Sequence, residues 1–176
     1  MSRLTEALFR LAKFARMELR RDRVDVTAFA AEILQRLTAG SPERLVETHI
    51  AGGLVLDGDP GMFRIVMENL LTNAWKFTAP RKCARIEVGL VPGTRFFFVR
   101  DNGVGFPMEE AGRLFTPFQR LHPASQFPGN GVGLATVLRI LHRHGGRIWA
   151  EAEPDAGATF FFTLDPEEPA GGGVSG

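Results

Sequence analysis

Three short runs hold the residues whose types and spacing suit chemistry. In Glu68-Asn69-Leu70-Leu71-Thr72-Asn73-Ala74-Trp75-Lys76-Phe77, two asparagines one helical turn apart and a lysine one turn further share a face, with Leu70, Leu71 and Ala74 opposite. Two amide oxygens and an ammonium in line suit a phosphate chain with Mg²⁺. The amides ligate the metal or its water, and the lysine offsets phosphate charge. The same pattern also fits a plain solvated helix face. In the second run, the apolar strand Arg95–Val99 leads through Arg100 to Asp101, followed by Asn102 and the glycines Gly103 and Gly105 around Val104. Glycines there let the backbone turn and approach a ligand closely. A carboxylate buried at a strand end is costly without a donor; the exocyclic amino group of adenine is such a donor, and the guanine carbonyl in that place is repelled. An ordinary Asp-Asn-Gly turn is the alternative. The third run, Gly129-Asn130-Gly131-Val132-Gly133-Leu134, opens a helix whose first N–H groups and dipole face anions. No Lys-Ser/Thr follows the glycines, so it is not a Walker loop, and no strand precedes it as a dinucleotide fingerprint requires.

The elements that must position these runs can be read from periodicity. Leu4, Leu8, Leu11, Ala15 and Leu19 predict an amphipathic helix from about Arg3 to Arg21, followed by a break at Arg20-Arg21-Asp22-Arg23. A second helix is expected from Thr27 to about Thr38, then two strands, Leu45–Ile50 and Leu54–Leu56, with Gly52-Gly53 as the turn between them. Asp59-Pro60 supplies an N-cap oxygen and a proline at the first helical position, so the asparagine-bearing helix should run from there to about Phe77. Ile86–Leu90 and Arg95–Val99 predict a hairpin around Pro92-Gly93. Residues 103–130 read as a long loop with a helical turn, a length that is usually functional. A helix from Val132 to His144 stops at Gly145-Gly146, and the strands Arg147–Ala152 and Thr159–Leu164 meet across Asp155-Ala156-Gly157. The pattern predicts an α+β two-layer sandwich, a mixed β-sheet with helices packed on one face, plus the N-terminal helix.

Composition narrows the class. With 176 residues, 44% hydrophobic and 23% charged, the chain has room and material for one core, which excludes wholesale disorder. Twenty-one basic against 20 acidic residues argues against a general polyanion or nucleic-acid binder. A single cysteine, Cys83, makes no internal disulfide, and neither a membrane span nor a signal peptide is legible. The expectation is a soluble, cytoplasmic protein. Residues 1–25 are net basic and residues 151–176 net acidic, and residues 167–176 read as a disordered tail.

Taken together and in this order, the runs resemble the ATP-binding catalytic domain of sensor histidine kinases, in the gyrase, Hsp90, histidine kinase and MutL ATPase superfamily. Glu68–Phe77 resembles the asparagine box, Asp101–Gly105 the first glycine box, Leu114-Phe115-Thr116-Pro117-Phe118 the phenylalanine box and Gly129–Leu134 the second glycine box. Asp155–Phe160 is similar to the last, degenerate glycine element. The runs Phe118-Gln119-Arg120-Leu121-His122 and His144–Ala150 are similar to the phytochrome-like branch. The resemblance covers residues 24–165 and implies a Bergerat-type ATP-binding fold. It further implies that Asn73, supported by Asn69, ligates Mg²⁺ and that Lys76 touches the phosphates. Asp101 would bond the adenine amino group with Thr159 nearby, and Phe77 would pack against the base. Gly103, Gly105, Gly129, Gly131 and Gly133 would allow close approach beside Val132 and Leu134. Residues 106–128 would form a lid pinned by Phe115 and Phe118, with Arg120 in reach of the terminal phosphates.

Two departures refine the expectation. Superfamily members that hydrolyse ATP carry a glutamate base one turn before the metal asparagine. Here that place holds Asn69, which cannot take a proton from water, so the site is expected to hold ATP for transfer with weak hydrolysis at most. Second, none of His49, His122, His142 and His144 falls on residues 1–23, which resemble the second helix of a dimerisation hairpin. The phospho-accepting histidine is therefore expected on a helix outside this chain, and autophosphorylation in cis is not expected. Residues 24–166 would be the catalytic domain, its partners that dimerisation helix and a response regulator receiver domain, with a homodimer possible through residues 3–21. The alternatives are a regulatory module that binds nucleotide without transferring phosphate, or a serine kinase of the anti-sigma type. Members of that second group tend to keep an acidic residue where Asn69 stands.

Overall fold

The computed structural model describes residues 18–165. The expected helix at 3–17 and the expected tail at 167–176 lie outside them. At the junction, Glu18–Arg21 is irregular rather than the end of a helix. The backbone N–H of Arg20 donates to Asp59 Oδ2 at 3.1 Å and the Arg21 guanidinium to the His144 carbonyl at 3.1 Å, so these residues are bonded to the domain. The expected boundary at residues 23–24 falls inside strand β1 (Asp22–Asp25).

Helix α1 (Val26–Gly40) starts one residue before the expected Thr27 because Asp25 is its N-cap, accepting from the Ala28 N–H at 2.8 Å. Strands β2 (Val46–Ile50) and β3 (Val55–Gly58) follow, and here pairing departs from expectation. The Gly52-Gly53 turn joins them without pairing them: β3 pairs antiparallel with β1, whereas β2 runs parallel to β4 (Ala84–Leu90). The exposed middle of β2 and the buried Leu56 of β3 belong to different sheets.

Helix α2 (Pro60–Phe77) begins as its sequence dictates, with Asp59 Oδ1 accepting from the Met62 N–H at 3.0 Å and proline in the first turn. Strands β4 and β5 (Phe97–Asp101) form the expected hairpin, Leu90 opposite Phe97. A 3₁₀ helix (Met108–Arg113) is the helical turn of the long loop, and helix α3 (Gly133–Arg143) leads to strands β6 (Arg147–Glu153) and β7 (Gly157–Thr163).

The main sheet has the order β2-β4-β5-β7-β6, mixed as expected. Its inner face (Ile86, Val88, Val99, Phe160, Phe162) packs with Phe63, Val66, Met67, Leu70, Leu71 and Ile140 in one core. Charged side chains such as Arg85 and Arg100 occupy the opposite face, where Trp149 stacks on Phe161 with centroids 5.4 Å apart. This is the two-layer arrangement in which helices cover one side of a sheet. His144 at the end of α3 fastens that helix to the start of α2: its Nδ1–H donates to the Ile140 carbonyl (2.7 Å) while Nε2 accepts from the Asp59 N–H (3.0 Å). Among the described residues no helix is long and apolar enough to cross a membrane.

Candidate functional site

The carboxyl-side half of α2 is buried along Val66, Met67, Leu70, Leu71 and Ala74, which turns Asn69, Asn73 and Lys76 toward a cavity of about 210 Å³. The far wall is built from the ends of β5 and β7, and the roof from the loop between β5 and α3. The cavity brings together Asn69, Asn73, Lys76, Phe77, Asp101 and Gly105 from the helix and sheet side. From the lid and the turn into α3 it receives Arg120, Gly129, Gly131, Gly133 and Leu134. Gly103, Val132 and Thr159 do not line it.

The asparagine face meets the glycine turn directly. Asn69 Nδ2 donates to the Ile65 carbonyl one turn back (2.8 Å), which leaves Oδ1 facing the start of α3. A Cβ added to Gly133 would lie 2.5 Å from that Oδ1, so glycine is what lets the helix start against the amide. Lys76 Nζ lies 3.3 Å from where a Gly129 Cβ would stand and 4.4 Å from the Phe77 ring centroid. Burial, and secondarily the Arg120 guanidinium, hold the Lys76 ammonium below the usual lysine range. One end of the cavity thus gathers amide oxygens, an ammonium and glycine backbone, a donor set that suits phosphate and a hard cation. Among the described residues no cluster of three His, Cys, Asp or Glu exists to hold a metal by itself.

At the other end Asp101 is 7% exposed. Its carboxylate accepts the Gly103 N–H at 2.8 Å, and the Ala158 N–H on the neighbouring strand also favours its charged form. Burial pushes its pKa up from 3.8 to about 6 against the opposing pull of those two N–H groups and of Arg81. Gly105 has φ +60°, and an added Cβ would collide with the Glu153 carbonyl, so the turn after Asp101 closes onto β6 only with glycine there. Gly103 acts from behind the pocket, its Cα pressed against the Phe77 carbonyl, which accepts the Val104 N–H at 3.1 Å.

Besides Gly103, four expected placements differ. Thr159 points to the opposite face of the sheet, where its hydroxyl accepts from Arg100 Nε at 3.2 Å; strand alternation puts Ala158 and Phe160 on the cavity instead. Val132 is buried just before α3, its carbonyl accepting the Thr136 N–H at 3.0 Å. Arg120 lines the cavity, yet its guanidinium donates to the carbonyls of Phe127 and Gly129 and so braces the lid across itself. Phe118 is 44% exposed at φ 65° and pins nothing to the core, whereas Phe115 is packed against it as expected.

Phe127 (6% exposed) takes the pinning role, its ring 5.0 Å from Phe77 and 5.5 Å from His122. His122 completes the roof by donating its Nε2–H to the Gly105 carbonyl at 2.9 Å. Neither residue stands out as a site residue in the sequence. His122 lies in a noted run, but nothing local says its ring folds inward.

Comparison with known proteins agrees with this geometry. Residues 58–168 match the family model described as "Histidine kinase-, DNA gyrase B-, and HSP90-like ATPase". The chain is 33% identical over 163 residues to cyanobacterial phytochrome A of Nostoc sp. (strain PCC 7120), covering 85% of this chain and 20% of that protein. It is 44% identical over 100 residues to the methanogenesis regulatory histidine kinase FilI of Methanothrix harundinacea, covering 56% and 11%. The chain therefore spans about a fifth or less of the length of these relatives. Among solved structures it is similar to full-length ShkA in complex with AMPPNP (TM-score 0.72, 25% identity, 90% of this chain and 34% of that one). It shares its fold with the mycobacterial sensor histidine kinase MprB (TM-score 0.66, 24% identity, 81% and 95%).

Proposed function

The chain belongs to the histidine kinase-, DNA gyrase B-, and HSP90-like ATPase family, and from that premise we propose that it is the ATP-binding catalytic domain of a two-component sensor histidine kinase. It holds Mg-ATP and presents the γ-phosphoryl group to a histidine on a separate dimerisation helix, from which a receiver domain takes it, all in the cytoplasm. The observation that carries this is the polarity of the cavity. One buried carboxylate stands at the sheet end, and two asparagines and a lysine face glycine turns at the other.

Each side chain then has a part. The Asp101 carboxylate accepts the adenine amino group, and Phe77, Ala158 and Phe160 give the base apolar contact. Asn73 and Asn69 offer amide oxygens to Mg²⁺, which when bound neutralises phosphate charge. Lys76 adds a fixed positive charge beside the phosphate chain, and the glycine turn offers N–H groups. Asn69 has no basic group, so no water is deprotonated there and hydrolysis stays slow. Catalysis is then positioning and charge stabilisation, with the acceptor supplied by another helix.

We take the acceptor to lie on another helix because each histidine of this chain sits within the folded domain. His49 pairs with Glu47 on the sheet's exposed face, His122 is in the loop over the cavity, His142 stands exposed in the last turn of α3 and His144 is buried in two hydrogen bonds. Calorimetric titration with ATP and GTP, with and without Mg²⁺, tests the nucleotide part. Tighter binding of ATP than GTP, enhanced by Mg²⁺ and lost in Asp101→Asn, is expected; equal binding of both bases contradicts it.

A further inference from the structure

Arg81 lies just beyond α2, in a turn where its N–H donates to the Thr78 carbonyl at 2.9 Å. It does not line the nucleotide cavity. Its guanidinium instead reaches three backbone carbonyls from two different turns. Nε donates to Asn102 at 2.8 Å, and Nη2 donates to Gly103 at 2.9 Å and to Asp155. The first two belong to the glycine turn after β5 and the third to the turn between β6 and β7. The planar five-donor fork of arginine spreads these three bonds over two nitrogens, a reach that the single nitrogen of an ammonium does not have.

The bonded peptides are those that set the Asp101 carboxylate. Gly103, whose carbonyl Arg81 grips, donates its own N–H to Asp101 Oδ1. Asp155, gripped on the other side, donates its N–H to the Val104 carbonyl at 2.7 Å and so closes the two turns on one another. Asn102 is fastened to the same segment as Arg81, since its Oδ1 accepts from the Arg85 N–H and its Nδ2 donates to the Cys83 carbonyl.

We propose that Arg81 is the positioning residue for base recognition: it joins the first glycine turn to the β6–β7 turn and thereby fixes the direction and charge of the Asp101 carboxylate. The inference rests on the cavity taking an adenine nucleotide. The other titratable or charged side chains that share the cavity with Asp101 are Lys76 from α2 and Arg120 and His122 from the loop over it. The register partners of Asp101 on β4 and β7, Ile86 and Ala158, carry none. Among the charged groups, Arg81 is the one that joins the Gly103 and Ala158 N–H groups in opposing the rise of the carboxyl.

The test is calorimetric binding of ADP and GDP to the purified chain between pH 5 and 9, for the parent, Arg81→Met and Arg81→Lys. Arg81→Met should weaken ADP about tenfold at pH 8, the effect of one charge-assisted hydrogen bond. It should also move the midpoint of the pH dependence upward and narrow the preference for ADP over GDP. Arg81→Lys keeps the charge but not the fork, so the midpoint should stay with the parent while ADP still weakens. A folded Arg81→Met that weakens ADP and GDP alike with an unmoved midpoint has lost only structural support, and overturns the proposal. If Arg81→Met does not fold, Arg81→Lys decides alone, and parental ADP affinity there overturns it. A parent that binds no ADP, or binds it equally after Asp101→Asn, overturns the nucleotide site and this inference with it. A parent whose binding depends on Asp101 while both Arg81 variants match it overturns the inference alone.

Discussion

Asp101→Asn removes one negative charge from a position where only 7% of the residue meets solvent, without changing its shape. The folded carboxyl titrates at about 6 against 3.8 for the ordinary group. The folded state therefore binds more protons than the unfolded state between those values, and stability falls as pH rises through the window. At pH 8 the difference corresponds to about 3 kcal/mol of cost that the neutral amide avoids, at about 1.4 kcal/mol per decade. By the same linkage the gain shrinks to about 1.6 kcal/mol at pH 5 and about 0.6 kcal/mol at pH 4. For a domain of this size the pH 8 gain should raise the melting temperature by roughly 6–12 °C. The amide oxygen can still accept the Gly103 N–H, so the turn should survive. The amide presents a poorer acceptor to an adenine amino group, and ATP binding should fall by roughly 10–100-fold. Thermal melts at pH 4, 5 and 8 beside a nucleotide titration check both halves. A variant less stable than the parent at pH 8, or a gain that does not change with pH, refutes the reasoning about burial. Unchanged ATP affinity refutes the assignment of the base.

Three further outcomes are expected. Gly133→Ala places a methyl group 2.5 Å from Asn69 Oδ1, so the amide must swing aside. Stability should change by less than about 1 kcal/mol, because the group that yields is a side-chain tip, while the Mg²⁺-dependent part of ATP binding is lost in titrations with and without metal. Lys76→Met should weaken ATP about tenfold and leave adenosine unaffected, with a flatter salt dependence; equal loss for both ligands would remove the lysine from the phosphate end. His144 is held below the ordinary histidine range chiefly by burial, so its contribution is complete above about pH 6.5 and is lost as pH falls below that. Because Asp101 runs in the opposite direction, urea midpoints are best compared in the Asp101→Asn background, where His144→Gln should flatten the remaining decline between pH 7.5 and 5.

The helix that carries the asparagines was the most legible element, since Asp59-Pro60 fixes its start and the 3.6-residue repeat of Phe63, Val66, Leu70 and Ala74 fixes which side faces the core. The β4–β5 hairpin was equally plain, because its strands are neighbours in sequence. The partners of β2 and β3 were not, because pairing across dozens of residues leaves no local mark, and a Gly-Gly turn looks the same whether or not the strands it joins bond each other. Thr159 was misplaced for a related reason. Strand β7 is aromatic on both faces, Phe160 and Phe162 inward and Phe161 outward against Trp149, so alternation alone cannot say which side Thr159 takes. In the lid, Phe118 and Phe127 are indistinguishable as residue types. Which one is buried depends on the backbone turning at Phe118 (φ 65°) and on Phe77 and His122 meeting Phe127. Arg81 carried no motif, and its role exists only once two distant turns lie side by side.

Phosphotransfer itself is tested most directly with γ-labelled ATP, Mg²⁺, the purified chain and a dimerisation hairpin bearing its histidine, supplied as a separate polypeptide. Acid-labile label on the hairpin, none on the chain, little free phosphate, and loss of transfer in Asp101→Asn are predicted. Label on the chain itself would place an acceptor among its own histidines. Binding of ATP with no label on any supplied hairpin would make the domain a nucleotide-binding regulator and contradict transfer.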